Sequence, residues 1–396
     1  MPVDLQKVPD KIPLPPSPHL QRWLLIGIAC ISFGTILALI RWRDTDSTHS
    51  MWFWFCSLVC PLLFGLSGFI IRMRYYENKR DNILWWNHLQ QEKYTEQVKL
   101  GQQAVGILDI AYLSPVANNQ LSTALLQGRS ELNSSFSQPL QKVMTTASLY
   151  PLLTSLNKVE YKSRLEETLY KVIKQLQPAL DKYSQEIYVR IVHDGTLEYG
   201  QFIELWQHMF PLLCNVHITD QNNGVMWTDE WLDQQDDRLL LSLEINLFTQ
   251  VRDQEAESVS ALLMASPLWL SRHKVQPLCW IHRPVAINDL PVSMETVACW
   301  GKYRPPEPWF LWRVGIESNA LVQSLQAMET LDYMSFMKGQ FVLDDTFGMP
   351  GVATGNITLI CACENAIKSR FVQWVMIGNK SIHMYIVRPV EPNAKD

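Results

Sequence analysis

Two apolar stretches near the start of the chain constrain its fold more than any other feature. Trp23 to Ile40 is an uncharged run of 18 residues, and Met51 to Ile71 is a second run of 21 residues. A helix of about 20 apolar residues crosses the hydrocarbon layer of a bilayer. The sequence therefore predicts transmembrane helices over residues 23–40 and 51–71. The alternative is a buried helical hairpin, which would need an unusually large apolar core around it.

The orientation of these helices is predicted from the charges that flank them. The stretch before Trp23 is long and contains prolines, and Leu39-Ile40-Arg41-Trp42 has no small-residue cleavage site, so a removed signal peptide is not expected. The loop of residues 41–50 is too short to be a domain. The loop has only Arg41 and Arg43, which are offset by Asp44 and Asp46. The outer flanks of the two runs carry more basic residues, namely Lys7, Lys11, Arg22, Arg72, Arg74, Lys79 and Arg80. We expect a bacterial inner-membrane protein with both chain ends in the cytoplasm and a periplasmic loop.

Cysteine spacing and charge exclude several classes of protein. The eight cysteines show neither a disulfide framework nor a CxxC pair, so we expect reduced, mostly buried thiols in a reducing compartment. Cys361 and Cys363 are two residues apart on a predicted helix and point to different faces, which makes them a poor metal pair. No metal or cofactor is predicted. The net charge is −5, and apart from the juxtamembrane arginines the chain has no basic stripe, so nucleic acid is not an expected partner.

The remaining chain divides by pattern. Residues 1–22 are rich in proline and predict a disordered tail, with a docking peptide as the alternative. Residues 72–103 predict a basic juxtamembrane segment and a stalk helix, and residues 391–396 a second tail. From Ala104 onward, short apolar runs alternate with helical stretches, which is typical of an α/β domain. The predicted strands are 104–110, 187–192, 239–247 and 258–265, the helices are 119–127, 165–180 and 320–328, and 371–377 and 382–387 form a closing hairpin.

Two segments of this domain resemble the thiolase and β-ketoacyl synthase superfamily. Residues 104–111, followed by Ser114-Pro115 and by residues 124–130, are similar to the opening strand, proline turn and first helix of ketosynthases. Residues 347–355 resemble the glycine-rich histidine loop that precedes the last helix and strands of the family. The resemblance implies a thiolase-like layered α/β/α domain in two halves, 104–250 and 251–390.

The family's chemistry is not matched by the residues at these positions. In the family, a cysteine thiolate at a helix N-terminus acts with histidines that move protons. The resemblance implies that the catalytic histidine follows the first glycine of the loop, where this chain has Met349, and a thioether cannot transfer a proton. The loop is therefore predicted to be degenerate at Gly348, Met349, Gly351 and Gly355. Cys214, Cys279 and Cys299 lack the Ala-Cys-small context of the family's nucleophile, so no catalytic residue is predicted.

The histidines and acidic clusters elsewhere are interpreted as structural or solvated. His193-Asp194-Gly195-Thr196 resembles another catalytic loop of the family, but it lies in the first half and is interpreted as a strand end and turn. The remaining histidines of the domain have no metal-ligand spacing, and one of them, His383, lies within a terminal strand. Asp229-Glu230, Asp233 and Asp344-Asp345 are interpreted as solvated carboxylates.

Three functional hypotheses follow. The first is a non-catalytic, membrane-anchored adaptor, because the layout resembles membrane-bound accessory proteins of bacterial type VI secretion; its partner would be a secretion component or effector, and Trp227, Trp231 and Trp309 would form its interaction surface. The second is a membrane-tethered acyl-transferring or thioester-handling enzyme with Cys214 or Cys299 as the nucleophile. The third is a small-molecule sensor that signals through the transmembrane helices.

Overall fold

The protein divides into two compact units in its computed structural model. One unit is residues 4–97 and the other is formed mainly by residues 98–396. The structure describes residues 9–42, 50–137, 141–150, 156–183, 187–213, 215–219, 223–234, 237–378 and 381–390.

The first unit contains two long apolar helices. Helix α1 is Leu20–Arg41, and helix α2 is Met51–Gly101, with a π-helical turn at Phe55–Val59; the last four residues of α2 belong to the second unit. Large apolar side chains on both helices are exposed, for example Ile40 at 76% and Phe64 at 77%. Both helices are long and apolar enough to cross a membrane. The two predicted apolar helices are present, and their insertion in a membrane stays a prediction.

The helices of the first unit approach each other at small residues. A Cβ atom on Gly65 would lie 3.6 Å from the Gly27 Cα, and a Cβ atom on Gly34 would lie 2.0 Å from Pro61 Cγ, so position 34 accepts only glycine without movement of Pro61. Residues 9–19 of the proline-rich segment run along α2. There the Asn87 side chain hydrogen-bonds both the Ile12 N–H and the Ile12 carbonyl, each at 2.9 Å.

The second unit is built on one large sheet. Its strands lie in the order β11-β10-β12-β13-β8-β1-β7-β6-β4-β5, with β9 beside β13 and a separate β2–β3 hairpin. The strands are β1 (Ala104–Leu113), β2 (Asn133–Ser137), β3 (Lys142–Thr146), β4 (Ile187–His193), β5 (Val216–Thr219), β6 (Leu239–Asn246), β7 (Ser258–Ala265), β8 (Cys279–His282), β9 (Val285–Ala286), β10 (Trp309–Val314), β11 (Met337–Val342), β12 (Val372–Gly378) and β13 (Ile382–Pro389).

Helices cover both faces of this sheet. They are α3 (Leu121–Leu126), α4 (Lys158–Lys182), α5 (Tyr199–Met209), α6 (Trp227–Gln234), α7 (Pro267–His273), α8 (Leu290–Trp300), α9 (Ser318–Thr330), α10 (Leu343–Thr346) and α11 (Thr354–Ser369), with single 3₁₀ turns at Met334–Phe336 and Gly351–Ala353. The predicted strands and helices and the closing hairpin are present; the hairpin turn at 379–380 lies outside the described residues.

The sheet is an internal repeat of two five-strand halves. The first half is β1, β4, β5, β6 and β7, and the second is β8, β10, β11, β12 and β13. Numbered in chain order within each half, both sets lie in the spatial order 3-2-4-5-1, with parallel pairs 2-3 and 2-4 and antiparallel pairs 4-5 and 5-1. The halves join through the antiparallel pair β1–β8. The repeat closes with β7, so its boundary lies after Ala265, whereas the sequence placed it at residue 250.

Two apolar cores lie on opposite faces of the sheet. The apolar stripe of α4, from Leu165 to Leu180, packs on one face, as its period predicts, and an Asn157–Glu160 capping box fixes the start of this helix. On the other face, α11 packs against strands of both halves. Because 11 of its 16 residues are buried, α11 is the central helix of the domain. The predicted layered α/β/α fold is confirmed.

Candidate functional site

The starts of two helices meet at the centre of the domain. Helix α6 follows the third strand of the first half, and α11 follows the third strand of the second half. A Cβ atom on Gly355, in the first turn of α11, would stand 3.0 Å from the Gly224 carbonyl oxygen just before α6 and 2.8 Å from Glu244 Oε1. The two half-domains therefore come into contact at Gly224 and Gly355, and only glycine permits this approach.

His383 faces this junction from β13. A Cβ atom on Gly224 would lie 2.5 Å from His383 Nε2, so the imidazole packs directly against Gly224. The side chain is 2% exposed, and Nε2 has no hydrogen-bond partner among the described residues. The imidazole ring also forms a hydrogen bond with the Ser381 main chain. Because Nε2 has no partner in the described ranges, this bond is made by Nδ1. Burial lowers the pKa of His383 to about 4, so at neutral pH its Nε2 presents a free lone pair.

A buried carboxylate holds the start of α11. Glu244 on β6 is 2% exposed and accepts hydrogen bonds from the main-chain N–H groups of Asn356, at 2.7 Å, and Gly355. The Arg190 guanidinium lies 3.4 Å from Glu244 Oε1. Burial raises the pKa of Glu244, against the opposing effect of Arg190 and the two amides. The carboxylate occupies the place where a helix N-terminus binds anions, so α11 does not offer that place to a substrate.

Trp227 forms one wall of the junction. The Arg190 guanidinium lies 4.5 Å from the centre of its ring, which is a cation–π contact, and Trp231 stacks beside it at 6.2 Å. The indole Nε1 of Trp227 has no partner in the described part of the chain. The third tryptophan proposed as a surface anchor, Trp309, is fully buried against Trp374 and packs in the core.

The glycine-rich loop lies between β11 and α11, as the resemblance implies. Two main-chain hydrogen bonds hold Met349: its N–H donates to the Gln254 carbonyl at 2.8 Å, and its carbonyl accepts the Ala256 N–H at 2.9 Å. Its side chain is 42% exposed. Gly348 has φ +92°, and Gly351, with φ +56°, is in contact with the Asn246 side chain. Glycine is therefore required at both positions. That this loop is catalytically degenerate stays a prediction.

The described cysteines do not lie where a nucleophile is needed. Cys361 and Cys363 are buried within α11, and burial raises the pKa of both thiols well above the ordinary value. Cys279, on β8, contacts Cys363 with 2.7 Å between the sulfur atoms. Cys299 lies in the last turn of α8, where burial also raises its pKa. Such thiols are poor nucleophiles, and none of the described ones begins a helix. Cys214 lies outside the described residues.

Two further histidines have clear structural settings. His193 is the last residue of β4, and its ring stacks on Phe202 with 5.0 Å between the ring centres. Its Nδ1 accepts a hydrogen bond from the Gly195 N–H at 2.9 Å, which agrees with the interpretation of this segment as a strand end and turn. His282, on β8, is buried near Arg388 and Lys302, and burial lowers its pKa to about 3. Among the described residues, no group of three or more His, Cys, Asp or Glu side chains is arranged to hold a metal ion.

The two buried histidines predict a specific acid sensitivity. His383 and His282 have pKa values of about 4 and about 3 in the folded protein, below the ordinary value of 6.5. Below pH 6.5 the unfolded chain therefore binds protons that the folded chain does not, and each histidine costs about 1.4 kcal/mol of stability per pH unit. The free energy of unfolding in urea is measured for the wild type and for His383→Gln. The value for the wild type minus that for the variant should fall by about 3 kcal/mol from pH 7 to pH 4. A difference that does not change with pH would contradict this prediction.

Known proteins resemble this chain in fold but not in sequence. No protein-family model and no curated protein sequence matches the chain. Many solved structures are similar, and three of them illustrate the likeness. A type II polyketide synthase acyl-carrier protein in complex with its ketosynthase (AntDE:AntF) gives a TM-score of 0.50 at 11% identity over 73% of this chain and 100% of that one. A β-ketoacyl synthase from Burkholderia phymatum gives a TM-score of 0.51 at 10% identity, over 73% of this chain and 100% of that one. Ketosynthase twelve of the bacillaene polyketide synthase from Bacillus amyloliquefaciens gives a TM-score of 0.51 at 8% identity, over 74% of this chain and 74% of that one.

These likenesses define the second unit as a thiolase-like domain with the ketosynthase fold. They also correct the leading hypothesis from the sequence. The similar structures are condensing enzymes, so the prediction of a non-catalytic adaptor is wrong, and nothing in the comparisons supports an association with type VI secretion. Met349 and the cysteine contexts led to that prediction, and both are local features of the sequence. The fold brings a residue from a distant strand, His383, against the start of α6, and no local motif marks it.

Proposed function

We propose that this chain is a membrane-held enzyme that transfers acyl groups from thioesters, with His383 as the residue that handles the proton. One observation carries the proposal: a buried imidazole with an unbonded Nε2 packs against Gly224, where the half-domains of a ketosynthase-like fold meet. Buried polar atoms without a partner require an explanation, and a catalytic role is one such explanation. The substrate class comes from the solved ketosynthases, one of which is bound to an acyl-carrier protein.

The proposed step uses the lone pair of His383. Nε2 accepts the proton of an incoming hydroxyl, amine or thiol while this group bonds to the thioester carbonyl carbon. The carbonyl oxygen becomes an oxyanion, and the positive end of the α6 dipole, close to His383, stabilises it. The carbon–sulfur bond then breaks, and the thiolate takes the proton from the imidazolium. Ile377, whose Cδ1 would lie 3.4 Å from a Cβ atom on Gly224, and Trp227, three residues after Gly224, supply apolar surface for an acyl chain.

Turnover by the wild-type protein tests the proposed function. Full-length protein in mild detergent is mixed with acyl-CoA esters of increasing chain length and with hydroxyl, amine or thiol acceptors. The released coenzyme A thiol is measured by chromatography, because the total free thiol does not change when the acceptor is itself a thiol. We expect saturable thiol release that is constant from pH 8 to pH 5.5 and half lost near pH 4, because protonated His383 cannot accept a proton. No release above the buffer rate with any ester and acceptor would contradict the proposal. Cys299→Ser should remain active, and a loss of turnover would assign the step to that thiol.

The proposal places α1 and α2 in the bacterial inner membrane, with residues 23–40 and 51–71 in the hydrocarbon and both chain ends in the cytoplasm. The exposed apolar side chains of both helices and the basic residues on their outer flanks support this orientation. The lipid bilayer is then the partner of the first unit. We expect a fusion after Asp396 to a reporter that is active only outside the cytoplasm to be silent. Reporter activity there would reverse the orientation.

A further inference from the structure

One buried guanidinium joins helix α6 to the last turn of helix α2. Arg283 follows β8, and its side chain is 1% exposed. Its Nη1 donates to Asp229 Oδ1 at 2.5 Å, and its Nη2 pairs with Asp233 Oδ1 at 2.7 Å. Its Nε donates to the Leu100 carbonyl at 3.2 Å. All three nitrogen atoms of the guanidinium are therefore bonded, and they bond two separate helices.

These partners differ from the sequence-based expectation. Asp229 and Asp233 were interpreted as solvated carboxylates, but they lie one turn apart on the same face of α6. Asp229 is 6% exposed, a position that an unpaired carboxylate would avoid. The Leu100 carbonyl is one of the last four of α2, where the helix dipole favours a cation, and it also accepts the Gln103 N–H at 3.2 Å. The positive charge of Arg283 thus balances two carboxylates of α6 and the partial negative charge at the C-terminal end of α2.

The bonded path continues from Arg283 to the site. The Asp229 N–H donates to the Met226 carbonyl at 3.2 Å, and the Met226 N–H donates to the Asn223 carbonyl at 3.1 Å. The next residue, Gly224, packs against His383. Leu100 is therefore linked to the histidine through a short series of bonded neighbours, which is the kind of contiguous network that couples distant positions.

We propose that Arg283 is a positioning residue that couples the last turn of α2 to the start of α6 and so sets the place of Gly224 against His383. The inference rests on the proposed function only in the role given to His383. Because a planar guanidinium bonds in fixed directions, Arg283 cannot follow a movement of the α2 end without moving α6.

The test uses Asp233→Asn, which keeps an oxygen acceptor but removes one charged arm of the network. Its matched control is Glu307→Gln, because Glu307 pairs with Arg388 and is 34% exposed, against 31% for Asp233. Hydrogen exchange is measured over residues 223–234 in the full-length protein, and the titration of His383 is followed by NMR. In Asp233→Asn we expect exchange about tenfold faster over 223–234 and a pKa of His383 shifted toward its ordinary value. The control should change neither quantity.

Arg283→Lys provides a second variant, since it keeps the charge and loses the planar fork. It should show the same two changes as Asp233→Asn, to a larger extent. The proposal is overturned if both variants leave His383 unchanged, or if Glu307→Gln has the same effects as Asp233→Asn. Faster exchange without a change at His383 would make the network structural only, and would also overturn it. Neither measurement uses turnover, so a failure here is separate from a failure of the proposed function.

Discussion

Replacing Arg190 with methionine should destabilise the protein by about 3–5 kcal/mol, because breaking a buried ion pair from one side leaves the other charge without its partner. Arg190 is 8% exposed and Glu244 is 2% exposed, so solvent cannot replace the lost guanidinium. The same substitution removes the cation from the face of Trp227. The free energy of unfolding, measured by urea denaturation in detergent, reports the loss.

The double variant Arg190→Met/Glu244→Gln separates charge from packing. If the cost comes from the unpaired carboxylate, neutralising position 244 should recover at least about half of the lost stability. The deficit of the single variant should also shrink as the pH falls. The reason is that a buried carboxylate with a raised pKa becomes protonated in the folded state, which removes the penalty. A single variant within about 1 kcal/mol of the wild type would contradict the interpretation, as would a double variant no better than the single.

Much of the fold could be predicted because its central strands are continuous apolar runs. All eight positions of β7 are buried, and the run from Ser258 to Ala265 shows this in the sequence. The β2–β3 hairpin was missed because Asn133–Ser137 is mostly polar and lies outside the main sheet. Trp309 was misinterpreted because it follows three prolines, which suggested an exposed loop, although it begins the buried strand β10.

The site was harder to predict because long-range strand order creates it. Met349 could be found from a local motif, since the glycines around it mark the loop. His383 has no such signal: it belongs to the site only because β13 lies beside β8 and β12 and turns this side chain toward Gly224, some 160 residues earlier in the chain. The same applies to Asp229, since its partner Arg283 comes from a different half of the repeat. Sequence pattern shows which segments are buried, but it does not show which of them meet.

The most direct test of the central claim compares His383→Gln with His282→Gln. Both histidines are buried, and burial lowers the pKa of each, but only His383 packs against Gly224. The measurement is the rate of thiol release from the best acyl-CoA ester by the full-length protein. We expect His383→Gln to lose about 10²-fold or more in rate, as removal of a general base does, while His282→Gln stays close to the wild type. Wild-type turnover in His383→Gln would contradict the role assigned to this histidine.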